Sequence, residues 1–368
     1  MLVAPLPAGP LDVIGDVHGE LDALAALLAQ LGYDEHGAHA DGRRLVFVGD
    51  LCDRGPDSPG VLRLVQRLVA EGRAHATLGN HELNLLRNER KHGNHWFFGQ
   101  AFDPAHPEFG TCVPVQPHER AGLLAFMRSL PLVLEREDLR VVHAAWDDAV
   151  IARCRDFDGS VESAYEHFEH ATDAHPEFAR LRERATDALE RLGPALHDRD
   201  ALAIVAPAAA VVGDFDCFRQ MANPVRVATS GVERSTTQPF FAGGKWRFVD
   251  RAAWWRDYAG EVPVLFGHYW RWWNPARHAE LSKGEPHLFP DDRIGPRMSH
   301  DARAFCIDFS AGSRFRQRHR GDPEPFHGRL AAMRWPERRL EFDAPAPEDV
   351  QHGGSAGLLH AERPRQLT

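Results

Sequence analysis

Cysteine is scarce and scattered. The five cysteines, Cys52, Cys112, Cys154, Cys217 and Cys306, never form a C-x-x-C pair, which argues against a disulfide framework and a thiolate zinc site and suits a reducing compartment. No apolar run approaches the roughly 18 to 20 residues of a membrane span, and the segment from Met1 to Pro10 lacks the basic start of a secretory leader. A soluble cytoplasmic protein is expected. Basic charge is outweighed, with 43 Lys and Arg against 53 Asp and Glu for a net charge of -10. That balance weighs against general binding to nucleic-acid backbones. No internal repeat is visible. With 43% hydrophobic and 26% charged residues, the chain can bury a full core unaided. Histidine is abundant at 22 residues, yet most stand singly, as His36, His39 and His170 do. Only those that end apolar strands are candidate ligands.

The first part of the chain alternates short apolar strands with amphipathic helices: Leu11 to Gly15, Glu20 to Leu31, Leu45 to Val48, Ser58 to Ala70 and His75 to Leu78. This is the pattern of an α/β sheet. In the first helix Leu21, Leu24, Leu27, Leu28 and Leu31 recur at three- and four-residue spacing and make one buried face. Leu139 to Val142 and Val262 to Phe266 read as buried strands, each soon followed by a histidine. Ala304 to Phe309, Leu330 to Trp335 and Arg339 to Phe342 read as closing strands. One domain is expected over 11–343, interrupted by a cap or insertion over 148–250 with a charged helical segment from about Val161 to Leu192. Residues 344–368, rich in Pro, Gly and His, read as a loose tail.

Three segments share one grammar of strand, glycine, then acid or amide with a histidine or arginine: Val13-Ile-Gly-Asp-Val-His-Gly19, Val46-Phe-Val-Gly-Asp-Leu-Cys-Asp-Arg-Gly55 and Thr77-Leu-Gly-Asn-His-Glu82. Polar residues at the carboxyl ends of parallel strands converge on one crevice, and glycine permits the turns that aim them. Asp16 and His18, one residue apart, point the same way on an extended exit and can chelate one ion. Asp50 can bridge two. Carboxylates with imidazoles suit manganese, iron or zinc, and the neutral amide of Asn80 keeps the ligand charge low. His143 in Val141-Val-His-Ala-Ala and His268 in Leu265-Phe-Gly-His-Tyr each follow a buried strand and can complete a second metal.

The ordered set GDVHG, GDLCDRG, GNHE, a strand-terminal His and a later GH resembles the PPP branch of calcineurin-like metallophosphoesterases, most of all the bacterial PrpE-like phosphatases and symmetrical diadenosine-tetraphosphatases. The similarity is dense over 11–145 and looser over 260–342, where Cys306-Ile-Asp308 and Leu330 to Trp335 match the family's last strands. The resemblance implies a β-sandwich flanked by helices and two divalent metals, manganese first, with iron or zinc also possible. Position by position, it gives Asp16 and His18 to the first metal, makes Asp50 the bridge, and gives Asn80, His143 and His268 to the second. Arg54 would hold phosphate oxygens, and His81, oriented by Asp53, would be the general acid. A second phosphate-clamping arginine is expected before His268, and Arg234 is the candidate. The chain departs from the family with Ala-Ala-Trp after His143 and Tyr-Trp after His268. Trp254 and Trp255 are expected to pack the insertion onto the sheet. For Trp270, Trp272 and Trp273, substrate contact and packing both stay open.

The implied activity is hydrolysis of a phosphate ester by direct attack of a metal-activated hydroxide, without a phosphoenzyme. A phosphomonoesterase of serine/threonine protein phosphatase type is the first reading, because dinucleotide hydrolases of the family often lack the aspartate found here at Asp53. A diadenosine tetraphosphate hydrolase is the alternative. From another class comes a regulatory protein with a degenerate metal and phosphate site, against which all six ligand positions stand. The partner expected is a phosphorylated substrate, either phosphoprotein or nucleotide, with no membrane.

Overall fold

The computed structural model of the chain describes residues 1–345 apart from 92, 100–105, 111, 243, 283–285, 290–297 and 299–300. In chain order the strands are β1 (Val3–Pro5), β2 (Leu11–Ile14), β3 (Arg44–Phe47), β4 (Ala74–Ala76), β5 (Val133–Arg136), β6 (Leu139–Val142), β7 (Glu233–Ala242), β8 (Lys245–Arg251), β9 (Val264–Phe266), β10 (Ala304–Cys306), β11 (Ala331–Trp335) and β12 (Arg339–Phe342). They form two mixed five-stranded sheets, ordered β1-β5-β6-β9-β10 and β12-β11-β2-β3-β4, and the separate hairpin β7-β8. In the second sheet β2, β3 and β4 run parallel, in register Val13 to Val46 to His75. In the first, β6, β9 and β10 run parallel, with Val141 beside Leu265 beside Phe305.

Strand alternation decides which layer receives each side chain. Val13, Val46, Val141 and Leu265 enter the core between the sheets, while Ile14, Phe47, Val142 and Phe266 turn to the outer, helix-covered faces. Apolar residues on both faces explain why these strands read as unbroken apolar runs. The fold is therefore a mixed α/β sandwich of two sheets flanked by helices, as the motifs imply. Helix α1 (Leu21–Leu31) buries Leu24, Leu27, Leu28 and Leu31, each contributing about 1.5–3 kcal/mol of burial, and leaves Leu21 at the rim. It stops at Gly32, whose φ of 95° allows a left-handed cap. Helix α2 (Ser58–Ala70) starts on Asp57, whose carboxylate accepts the Gly60 N–H at 2.7 Å.

The segment expected to be helical from Val161 to Leu192 is two helices, Val161–Asp173 and Pro176–Leu192. Pro176 forces His175 out of helical geometry, to ψ 125°. The insertion divides further. Val150, Ile151, Val161, Phe168 and Val225 join the main core, whereas Leu192, Val205, Val212, Trp246 and Phe248 form a small core of their own under the hairpin. Strands β1, β5 and the hairpin were not anticipated from the pattern. Trp254 packs on Phe266 and donates its indole N–H to the Ala144 carbonyl at 3.0 Å, and Trp255 stacks on Phe289. Among the described residues no helix is long and apolar enough to cross a membrane. Of the expected tail, residues 346–368 lie outside the described residues.

Candidate metal centre

The candidate residues come from loops at the carboxyl ends of both sheets. Asp16 and His18 follow β2, Asp50 follows β3, and Asn80 opens helix α3 (Asn80–Leu86) after β4. His143 follows β6 and His268 follows β9. Two groups of donor atoms, each within 4.8 Å of one another, share Asp50: His18, Asp50 and His81 in one, Asp50, His143 and His268 in the other. Asp16 joins the first, with its carboxylate 3.9 Å from His18 Nε2. Asn80 joins the second, its side-chain oxygen lying 3.3 Å from His143 Nε2 and 3.0 Å from His268 Nδ1.

Backbone carbonyls orient two of the imidazoles. His18 Nδ1 lies 3.0 Å from the Cys52 carbonyl and His143 Nδ1 lies 2.9 Å from that of Val48, so each presents Nε2 to the centre. This is how a ligating histidine is held. His143 Nε2 then faces Asp50 Oδ1 at 3.4 Å as well as the Asn80 oxygen. Burial opposes a charge on His143, but the Asp50 carboxylate outweighs it and pushes the imidazole up to about 10. Burial and the Asp308 carboxylate push Asp16 well above the usual carboxylate range. Burial also works against the ionisation of Asp50, yet His143, His81 and His18 hold it well below that range. Burial and the nearby Arg251 hold His268 well below its ordinary value, and its Nε2 is buried without a hydrogen-bond partner. Carboxylate oxygens, an amide oxygen and aligned imidazole nitrogens packed together among buried residues call for positive charge among them. Divalent cations meet that demand with donors of the right hardness.

The turns holding these side chains are strained. His18 (φ 48°), Asp50 (φ 47°), Asp53 (φ 70°), Arg54 (φ 73°), His268 (φ 72°) and Trp270 (φ 53°) all occupy the left-handed region. Only three other non-glycine residues do so among those described, so the strain is concentrated where the donors meet. Gly49, at φ 97°, lets the chain after β3 pass against Gly79, whose backbone nitrogen would lie 2.6 Å from a Cβ added there.

His81 Nδ1 is 2.6 Å from Asp53 Oδ2, which leaves Nε2 toward the centre. Asp53 in turn accepts the Trp96 indole N–H at 2.7 Å and has its own N–H on Ser58 Oγ. Arg54 reaches both histidines of this side, 2.6 Å from His18 Nε2 and 3.0 Å from His81 Nε2, and lies over the Trp270 ring at 4.7 Å. Arg234 is not brought in: its side chain is 64% exposed and 4.0 Å from Asp257. The hairpin explains this. Glu233 pairs with Arg251 and Arg234 with Asp250, and successive side chains leave a strand on opposite faces. Glu233 and Arg251 face the cavity beside Arg54, and Arg234 faces away. Glu82, the last residue of the third motif, has a role that its position in the sequence did not reveal. The Glu82 carboxylate accepts the N–H groups of Asp50, Leu51 and Gly79 at 2.9, 2.8 and 3.0 Å, tying two of the motif turns together. Asp308 similarly accepts Trp270 N–H and Ser310 N–H at 2.8 Å each. No sequence signal marked Trp96. Tyr269, one of the departures, accepts the Val232 N–H at 3.3 Å and so holds the root of β7.

The family model for calcineurin-like phosphoesterases matches residues 9–135, the stretch that carries Asp16, His18, Asp50, Asp53, Arg54, Asn80 and His81. Over that stretch the chain is similar to the calcineurin-like phosphoesterase domain. Relatives of the phosphoesterase region include a bis(5'-nucleosyl)-tetraphosphatase PrpE, called asymmetrical, from Oceanobacillus iheyensis, 50% identical over 80 residues, 21% of this chain and 32% of its own length. A protein of the same name from Bacillus velezensis is 34% identical over 139 residues, 36% of this chain and 55% of its own. A symmetrical bis(5'-nucleosyl)-tetraphosphatase from Nitrosococcus oceani is 32% identical over 147 residues, 38% of this chain and 47% of its own. The chain thus spans from a third to about half the length of these relatives. Calcineurin-like phosphoesterases use divalent metals, and the two donor groups around Asp50 are candidates to hold them.

Proposed function

We propose that the protein is a metal-dependent hydrolase that cleaves a phosphoanhydride bond of a dinucleoside polyphosphate. The observation that carries this reading is the sharing of Asp50 by two donor groups, with the His81–Asp53 pair and Arg54 beside them. The names of the relatives supply the substrate class. In this reading Asp16, His18 and Asp50 would hold one divalent ion, and Asp50, Asn80, His143 and His268 would hold the other; manganese fits these donors, as do iron and zinc. When bound, the ions supply Lewis acidity toward phosphoryl oxygens and make water nucleophilic near neutral pH.

The remaining work belongs to side chains. Arg54 binds the oxygens of the phosphoryl group under attack, where its fork matches their geometry and offsets the charge that builds on them. As the bond from water oxygen to phosphorus forms, with a proton of that water lost to solvent, and the bond to the leaving phosphate breaks, His81 gives its Nε2 proton to the leaving oxygen and regains one from solvent. Asp53 fixes the ring so that this nitrogen is the one presented. A phosphomonoesterase acting on phosphoproteins is the second reading, favoured by the close Asp53–His81 pair.

The experiment is metal reconstitution followed by product analysis on diadenosine tetraphosphate beside phosphoserine, phosphothreonine and phosphotyrosine peptides. Dinucleotide turnover is expected, with the nucleotide products reporting which anhydride breaks. Asp50→Asn should abolish it, and His81→Ala should slow it about 10²–10⁴-fold with unchanged metal content. Full activity of Asp50→Asn with metal rigorously excluded would falsify the metal reading, and turnover of peptides alone would favour the phosphomonoesterase.

A further inference from the structure

Beside Arg54 lies a cavity of ≈ 310 Å³, the lower end of the about 300–1,000 Å³ of small-molecule sites. One wall is the hairpin. Arg247, Val249 and Arg251 are spaced by two on β8 and all line it, with Glu233 entering from β7. Phe240 and Trp270 supply aromatic surface. Among the described residues, neither Arg247 nor Arg251 has a carboxylate within 4.0 Å, unlike Arg219 and Arg226 nearby, which pair with Glu169. The Arg247 Nε–H is engaged instead by the Ala242 carbonyl of the same hairpin at 3.2 Å, which steadies the side chain. Three guanidinium groups against one carboxylate leave the cavity positive in a chain whose net charge is -10.

Unpaired arginines on the wall of an aromatic-lined cavity next to a phosphoryl site call for further anionic oxygens attached to a ring system. Glu233 narrows the class. Ionised, this carboxylate disfavours inorganic polyphosphate, which offers only acceptors, and suits a ligand with hydroxyl or amino donors, as an acid suits the ribose of a bound nucleotide.

We infer that the β7–β8 hairpin is the specificity element of the site, with Arg247 and Arg251 binding phosphates beyond the one attacked and the cavity taking the attached nucleoside. The inference rests on the hydrolase reading above but concerns binding, so the two can fail separately.

The test is calorimetric titration of the manganese-loaded protein with a methylene-bridged, non-hydrolysable diadenosine tetraphosphate analogue and, separately, with inorganic phosphate. The quantity to follow is the ratio of the two affinities. Arg247→Gln and Arg251→Gln should each lower that ratio about tenfold, as expected for one charge-assisted hydrogen bond lost. Arg234→Gln, on the opposite face of the same hairpin, should leave the ratio unchanged and controls for hairpin folding. Equal weakening of both ligands by the β8 variants would overturn the inference, reducing the arginines to a general field. So would a preference of the wild type for a phosphopeptide over the analogue. An arginine-dependent ratio in a protein that hydrolyses nothing would sink the hydrolase reading and leave the hairpin's role standing.

Discussion

Asp50 is the residue on which the two halves of the centre depend, since one oxygen faces His143 and the other faces His18 and His81. Its position is set by Glu82, two of whose accepted N–H groups belong to Asp50 and Leu51. The acid of the GNHE motif thus aims the acid of the GDLCDRG motif. The motif residues were legible because each is a polar side chain stranded between an apolar run and a glycine. Arg251 was not legible, because its face depends on hairpin register, and a one-residue shift exchanges it with its neighbour. Glu233, on the same face as Arg251, gives a residue-scale prediction. Burial raises its carboxyl to about 7 against the opposing pull of Arg251. The unfolded chain releases this proton near 4.5 and the folded chain near 7. Unfolding between those values therefore releases a proton, and stability falls as pH rises through that window, then levels off. Glu233→Gln should remove this component, gaining on the order of 1–2 kcal/mol at pH 8 relative to pH 5 after solvent screening is allowed for. Urea unfolding of both proteins at the two pH values measures it; an equal pH response in both would contradict it.

At the scale of elements, α1 could be read from periodicity and β2, β3, β6 and β9 from apolar runs that lead into a glycine or histidine motif, whereas β1, with three residues, carries no such mark. The hairpin escaped for another reason: its register is irregular between Ser235 and Phe240, and Pro239 interrupts the alternation of β7. Its position comes from packing. Trp246 and Phe248 are 6% and 3% exposed in the small core with Leu192 and Val212. Phe248→Ala should cost that lobe about 3–5 kcal/mol. Hydrogen exchange is then expected to speed in Ala209–Ala222 and in β8 while the amides of β2 and β3 stay protected. Uniform acceleration across both regions would show instead that the lobe and sandwich unfold as one.

Across the whole molecule, the centre draws Asp16, His18, Asp50 and Asn80 from one sheet and His143 and His268 from the other. Ions held there would cross-link the two layers of the sandwich. A divalent ion at about 100 times its Kd should add about 2.7 kcal/mol of stability. Scanning calorimetry with and without chelator should show that gain in the wild type and its loss in Asp50→Asn; equal transitions with and without chelator would refute it. The left-handed turns have one more consequence. At His18, Asp50, Asp53, Arg54 and His268 the backbone would relax if glycine stood there, yet glycine carries no donor. Selection for thermostability alone would therefore drift toward inactive proteins at these positions, and a library ranked first by stability should be depleted of working centres.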